Sequence, residues 1–309
     1  MNDKEIISSS DKKRGIAISL GSQTLWGMAG NVAQYLFVAT AITVEWLVSF
    51  RLILAGIILL VFWGVTHGFK DLMAIWKSKQ SAFMLILFSV FGMLGIQLTY
   101  FMTINYSNAA TATVLQFTSP VLIIGYLALR NRKLPNRVDA ITVVVAVIGT
   151  FLLITEGHLN TLSISMTALI WGFLTAVTDS IYILLPKKLL IKYGAVPVVA
   201  WSFLIGGLVM NVVHPIWVGL PAFTWTIFWA LVFMVIPATT FAYLMELQSV
   251  PLLKPEMVAI LQSVEPITST LIAVIFMGVT FNWVGSLGII LVIATVFIQA
   301  LASRTNKMK

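Results

Sequence analysis

Ten stretches of about 20 mostly apolar residues, separated by short charged or turn-forming connections, leave this chain one environment to fold in. Backbone groups inside a bilayer must be satisfied within the segment that carries them, so runs of this length are read as helices. They fall at about 16–39, 46–66, 83–104, 109–129, 138–155, 164–185, 195–213, 225–247, 256–278 and 283–302. Only 10% of residues are charged, against roughly 25% in soluble domains, which excludes a water-soluble fold. The first run carries Gln23, Asn31 and Gln34. It is too long and too polar for the apolar part of a cleaved signal peptide, and reads as a spanning helix.

The cations orient these spans. Of 19 Lys and Arg, all but Arg51 lie in the two tails or in alternate connections: Lys4, Lys12, Lys13 and Arg14; Lys70, Lys77 and Lys79; Arg130, Arg132, Lys133 and Arg137; Lys187, Lys188 and Lys192; Lys254; and Arg304, Lys307 and Lys309. The opposite connections hold none. The positive-inside rule then places both termini in the cytoplasm, and the net charge of +8 follows from topology rather than from nucleic-acid binding. A missed span would scramble the alternation, so the pattern also supports the count of ten.

The chain repeats itself. Leu115-Gln116-Phe117-Thr118-Ser119-Pro120 in the fourth span matches Leu261-Gln262-Ser263-Val264-Glu265-Pro266 in the ninth. Leu25-Trp26-Gly27 in the first matches Ile170-Trp171-Gly172 in the sixth, at nearly the same offset. Tyr100 and Tyr243 take matching places in the third and eighth. Five helices per copy is an odd number, so the second copy enters the membrane upside down. The expected architecture is an all-α integral membrane protein of ten helices in two inverted repeats. A cytoplasmic tail covers 1–15, the repeats cover 16–155 and 156–303, and a second cytoplasmic tail covers 304–309.

With these features the chain resembles the drug/metabolite transporter superfamily, in its EamA-type ten-helix branch. The resemblance covers nearly the whole chain. It rests on the helix count, the doubling, and a small-residue entry, Ser107-Asn108-Ala109-Ala110-Thr111-Ala112, ahead of a mid-helix proline. The acidic residue usual after this helix in the family is absent: Arg130-Asn131-Arg132-Lys133 stands in the first copy and Met277-Gly278 in the second. The resemblance implies outward transport of amino acids, other metabolites or drugs across the cytoplasmic membrane. It also implies a central cavity built from spans one, three, four, six, eight and nine.

Polar side chains are costly in hydrocarbon and should face a cavity or one another. Helical spacing aligns Gln23, Gly27, Asn31 and Gln34 in span one; Trp171, Thr175, Asp179 and Tyr182 in span six; Thr239, Tyr243 and Glu246 in span eight; and Gln262, Glu265 and Ser269 in span nine. Spans three and four add Gln97, Tyr100, Thr103, Thr113 and Gln116. Glu265 lies near the midplane, where an ionised group costs about 2.5–3.5 kcal/mol. It is the first candidate for binding a proton or a cation, the alternative being a neutral carboxyl that joins two helices. Asp179 stands where Gln34 does in the other copy and is either a second such group or a local cap. Arg51 is expected to snorkel or to pair near Glu45, with solute binding as the alternative. Glu246, near the cytoplasmic end, is expected to be a solvated or paired end charge. Gln116 and Gln262 either bridge helices or touch solute. Pro120 and Pro266 shape or hinge their helices. Trp26, Tyr100, Trp171 and Tyr243 lie away from the interfaces, as core packing or as a stacking surface.

The function expected is secondary transport of a small organic solute, an amino acid or related metabolite moved outward, with a coupled proton or counter-solute. Efflux of cationic drugs is the alternative. A membrane-embedded enzyme would need a nucleophile with a base, or a His/Asp/Glu cluster. The three histidines, His67, His158 and His214, are far apart, and there is no cysteine. A channel would not require the doubling. No phosphate-binding loop, cofactor motif or metal-ligand spacing occurs, and oligomeric state is not encoded in any motif seen.

Overall fold

The computed structural model describes residues 9–132, 134–158, 162–222, 224–253 and 255–306. Lys4, Lys133, Lys254, Lys307 and Lys309, among the cations expected on the cytoplasmic side, lie outside the described residues. All regular structure in these is helical. The first helix, α1, is Ser9–Ala39. It is followed by α2 (Val44–His67), α3 (Lys79–Tyr106), α4 (Ala109–Asn131), α5 (Arg137–Thr155), α6 (Met166–Tyr193), α7 (Ala195–Val213) and α8 (Trp225–Ser249). The ninth, α9, is Pro255–Gln262 continued by Val264–Met277, and α10 is Trp283–Asn306. Among the described residues eight helices are long and apolar enough to cross a membrane: α2 through α8, and α9 from Ile260. In α1, 31 residues long, Ser19, Ser22, Gln23 and Asn31 are buried in the protein, which lowers its hydropathy without exposing polar groups to lipid.

Local sequence sets the helix ends. Thr43, Ser78, Asn108, Asn136, Ser165 and Thr224 each accept a hydrogen bond from a backbone N–H in the first turn of the helix that follows. Gly278 closes α9 in the left-handed conformation at φ 67°. Hydroxyls inside the apolar helices are satisfied by the preceding turn, as in Ser89 to Leu85 O, Thr103 to Thr99 O and Ser202 to Val198 O.

The packing is doubled. α2 lies along α7, and α5 along α10; α1 packs on α8 and α9, as α6 packs on α3 and α4. Exchanging the first five helices for the last five leaves this pattern unchanged. Backbones meet where glycine allows it. A Cβ on Gly56 would lie 2.6 Å from Leu204 N, and one on Gly207 2.7 Å from Ile53 N, so α2 and α7 touch through both copies. The repeated Trp-Gly has the same use: Gly27 of α1 faces the backbone of α9 at Glu265 and Ser269, and Gly172 of α6 faces Leu115 of α4.

Two irregularities also come in pairs. α3 widens into a π-helical stretch at Phe88–Leu94 and α8 at Ile236–Phe241. α4 breaks after Gln116 ahead of Pro120, and α9 after Gln262 ahead of Pro266. A proline cannot donate to the carbonyl one turn back. At each break a hydroxyl supplies a bond to a nearby carbonyl instead: Thr118 to Leu115 O, and Ser263 to Ile260 O, both 2.6 Å.

Candidate solute cavity

The broken helices meet at a cavity of about 280 Å³. Its walls come from α1, α3, α4, α6, α8 and α9, with Arg51 added from α2 and Val296 from α10. Of the residues singled out in the sequence, Glu265, Asp179, Gln116, Gln262, Trp26, Tyr100, Tyr243, Arg51 and Pro120 line it.

The other candidates serve the helices around it. Asn31 donates to Gly27 O and to Ser269 O at 3.1 Å, tying α1 to α9. Gln34 Oε1 accepts from Ala109 N at 2.8 Å, capping the start of α4. Trp171 lies outside the cavity lining, and Pro266 is buried at the break in α9. Polar spacing puts Asn31 and Gln34 on the cavity-facing stripe, but Asn31 Nδ2 and Gln34 Oε1 are engaged in helix contacts.

The charged groups depart most from expectation. Arg51 does not snorkel. It is 4% exposed, donates through Nη2 to Gln97 Oε1, and lies 4.6 Å from the centre of the Phe101 ring. Its Nε is buried without a partner. Gln97 in turn donates from Nε2 to the Tyr243 hydroxyl at 3.2 Å, so the guanidinium is steered by two helices. Glu246 is no solvated end charge either. It is buried on the cavity wall, and its Oε2 accepts from Ser22 Oγ at 2.7 Å and Gln23 Nε2 at 3.2 Å.

Asp179 accepts a hydrogen bond from Ser119 Oγ, at the start of the second half of α4. Glu265 is half-buried and close enough to Asp179 and Glu246 to interact with both. The aromatic wall is ordered: Trp26 and Tyr243 meet edge-to-face at 4.9 Å, and the Tyr100 hydroxyl lies 2.9 Å from Thr113 Oγ1. One side of the cavity thus presents an uncompensated guanidinium among aromatic rings, and α6, α8 and α9 present three carboxyls.

Phe101, Ser119 and Tyr182 also line the cavity and were not singled out as site residues. Tyr182 lies on the polar stripe of the sixth span and Ser119 takes the place of Glu265 in the repeated motif, but nothing in sequence marks Phe101. Gln23 and Gln97 gave the available signal, an amide in an apolar run.

The model of the EamA-like transporter family matches the chain twice, over residues 13–155 and 166–301. An uncharacterized inner membrane transporter of Salmonella typhimurium, YicL, is 35% identical over 292 residues, covering 94% of this chain and 97% of that protein. A solved crystal structure superposes with a TM-score of 0.61 at 15% identity, over 95% of this chain and 98% of its own. That last likeness shows the fold alone.

Proposed function

Because the chain belongs to the EamA-like transporter family, we propose that it is an inner-membrane secondary transporter that carries a zwitterionic solute, an amino acid or related metabolite, outward. The observation that supports this most is Arg51, buried in the cavity wall with no carboxylate partner among the described residues. A buried charge left unpaired is costly. The cavity therefore suits a solute that brings an anionic group to the guanidinium. Glu265, which makes no hydrogen bond among the described residues, is free for the ammonium. Trp26, Tyr100 and Tyr243 suit a large apolar or aromatic side chain.

The excess of carboxyls over guanidinium favours a second reading, efflux of lipophilic cations, where cation–π attraction adds roughly 0.5–2 kcal/mol. The two separate on one pair of ligands. Purified protein should bind phenylalanine and lose that binding when the carboxylate is esterified. Binding of phenylalanine methyl ester or a quaternary amine, without phenylalanine, would replace the first reading by the second.

The ten-span, inverted arrangement belongs to the same reading, supported by the paired breaks and paired helix contacts. In it Pro120 and Pro266 are the hinges about which the cavity opens to either side. Reporter fusions at Lys309 and near Lys133 should read cytoplasmic, and one near Asn160 exterior. A cytoplasmic signal at Asn160 removes the arrangement.

A further inference from the structure

Glu246 has surroundings unlike those of the other two acids. Three polar positions on one face of α1 converge on its Oε2: Ser22 Oγ at 2.7 Å, Gln23 Nε2 at 3.2 Å and Ser19 Oγ at 3.4 Å. Gln23 is 0% exposed and Glu246 9%. Yet Oε1 of Glu246 and Oε1 of Gln23 are both buried without a partner, and both residues line the cavity. Ser22 has one hydroxyl hydrogen and two acceptors for it, Ser19 O at 2.9 Å and Glu246 Oε2 at 2.7 Å.

These contacts admit two hydrogen-bond patterns. With the carboxyl ionised, Ser22, Ser19 and the Gln23 amide all donate to it. With the carboxyl protonated, Ser22 turns its hydrogen to Ser19 O, and Glu246 donates to Ser22 Oγ or, with the amide turned over, to Gln23 Oε1. One proton is gained or lost, and no heavy atom needs to travel. The titratable and charged groups facing Glu246 are Arg51 from α2, Tyr100 from α3, Asp179 and Tyr182 from α6, Tyr243 from α8 itself and Glu265 from α9. The residues that α1 and α4 add to the same cavity lining are not titratable. Among the described residues no cation bonds to the carboxylate, and a proton on Glu246 would neutralise it without one.

We propose that Glu246, held by Ser19, Ser22 and Gln23, is a proton-binding subsite that links transport to the pH gradient, separate from the groups that grip the solute. This rests on the transporter reading above. A proton taken from water at one face of the membrane and released at the other would accompany each cycle, with no other chemistry.

The test uses the full chain in proteoliposomes with labelled phenylalanine. Glu246→Gln should lose pH-gradient-driven accumulation at least about tenfold, and the exchange that persists should cease to respond to pH. Ser22→Ala, which removes one donor to the ionised form, should move the midpoint of the pH profile to higher pH by about one to two units, the worth of one hydrogen bond to a charged group. Accumulation by Glu246→Gln that matches wild type overturns the proposal. So does accumulation that follows a sodium gradient at fixed pH, or a Glu246→Gln protein that melts normally but binds no phenylalanine. A readout that needs no solute keeps this apart from the transporter reading. The infrared difference spectrum between acid and alkaline pH should show a protonated-carboxyl band that Glu246→Gln removes, and identical spectra overturn the assignment even if wild type carries no phenylalanine.

Discussion

Arg51→Gln should weaken phenylalanine binding about 10- to 150-fold, to the level of its methyl ester. A hydrogen bond to a charged group is worth about 1.5–3 kcal/mol, and each 1.4 kcal/mol is about tenfold in affinity. Glu265→Gln should remove the other end of the same recognition, bringing phenylalanine down to the level of N-acetylphenylalanine. Calorimetric titration of the two variants with the three ligands checks both. Equal losses for phenylalanine and its ester in Arg51→Gln would mean that the guanidinium only shapes the cavity through Gln97 and Phe101. Thermal melts alongside separate a lost anchor from a loosened bundle, since Arg51 also holds Gln97.

Gly207→Leu should cost about 3 kcal/mol of stability, the upper part of the range for overpacking. The reason is geometric. A Cβ at Gly207 would sit 2.7 Å from Ile53 N and 3.1 Å from Leu52 C, so backbone rather than a flexible side chain must give way. The cost should appear as a lower melting midpoint in detergent, with α2 pushed away from α7. Gly125→Leu is the control: nothing lies within 4 Å of a Cβ there, and its midpoint should stay near that of wild type. A Gly207→Leu protein as stable as Gly125→Leu would mean that the α2–α7 contact is not close-packed.

Much of the scaffold is legible in sequence because the bilayer leaves few alternatives. Apolar runs locate the helices, as at 195–213, where the bounds match, although α1 begins earlier, at Ser9, and α6 runs on to Tyr193, because both helices extend past their apolar runs. The breaks in α4 and α9 are written as Gln-x-x-x-Pro, because a proline removes a known hydrogen bond. Side-chain direction is not written in that way. Arg51 and Glu246 read as end charges because depth along a helix is countable from sequence, whereas their partners are not: Gln97 is 46 positions from Arg51 and Ser22 is 224 from Glu246. Asn31 and Gln34 show the converse. Their spacing fits a cavity face, but a helix start at Ala109 and a carbonyl at Ser269 claim their amides first. The π-helical stretches have no sequence sign that distinguishes them from the α-helix around them.

Those stretches set the azimuth of everything that follows them. A π turn accommodates one residue more than an α turn, and in α8 the hydroxyls of Thr239 and Thr240 already bond five residues back, to Met234 O and Val235 O. One residue of α-helix is about 100° of rotation. Rewinding Ile236–Phe241 as α-helix would therefore swing Tyr243 and Glu246 by about that angle with little travel of the helix ends, and rewinding Phe88–Leu94 would swing Gln97 and Tyr100. Each copy thus carries a π-helical stretch within two turns of its cavity residues, and rewinding it would re-aim the lining by twist alone.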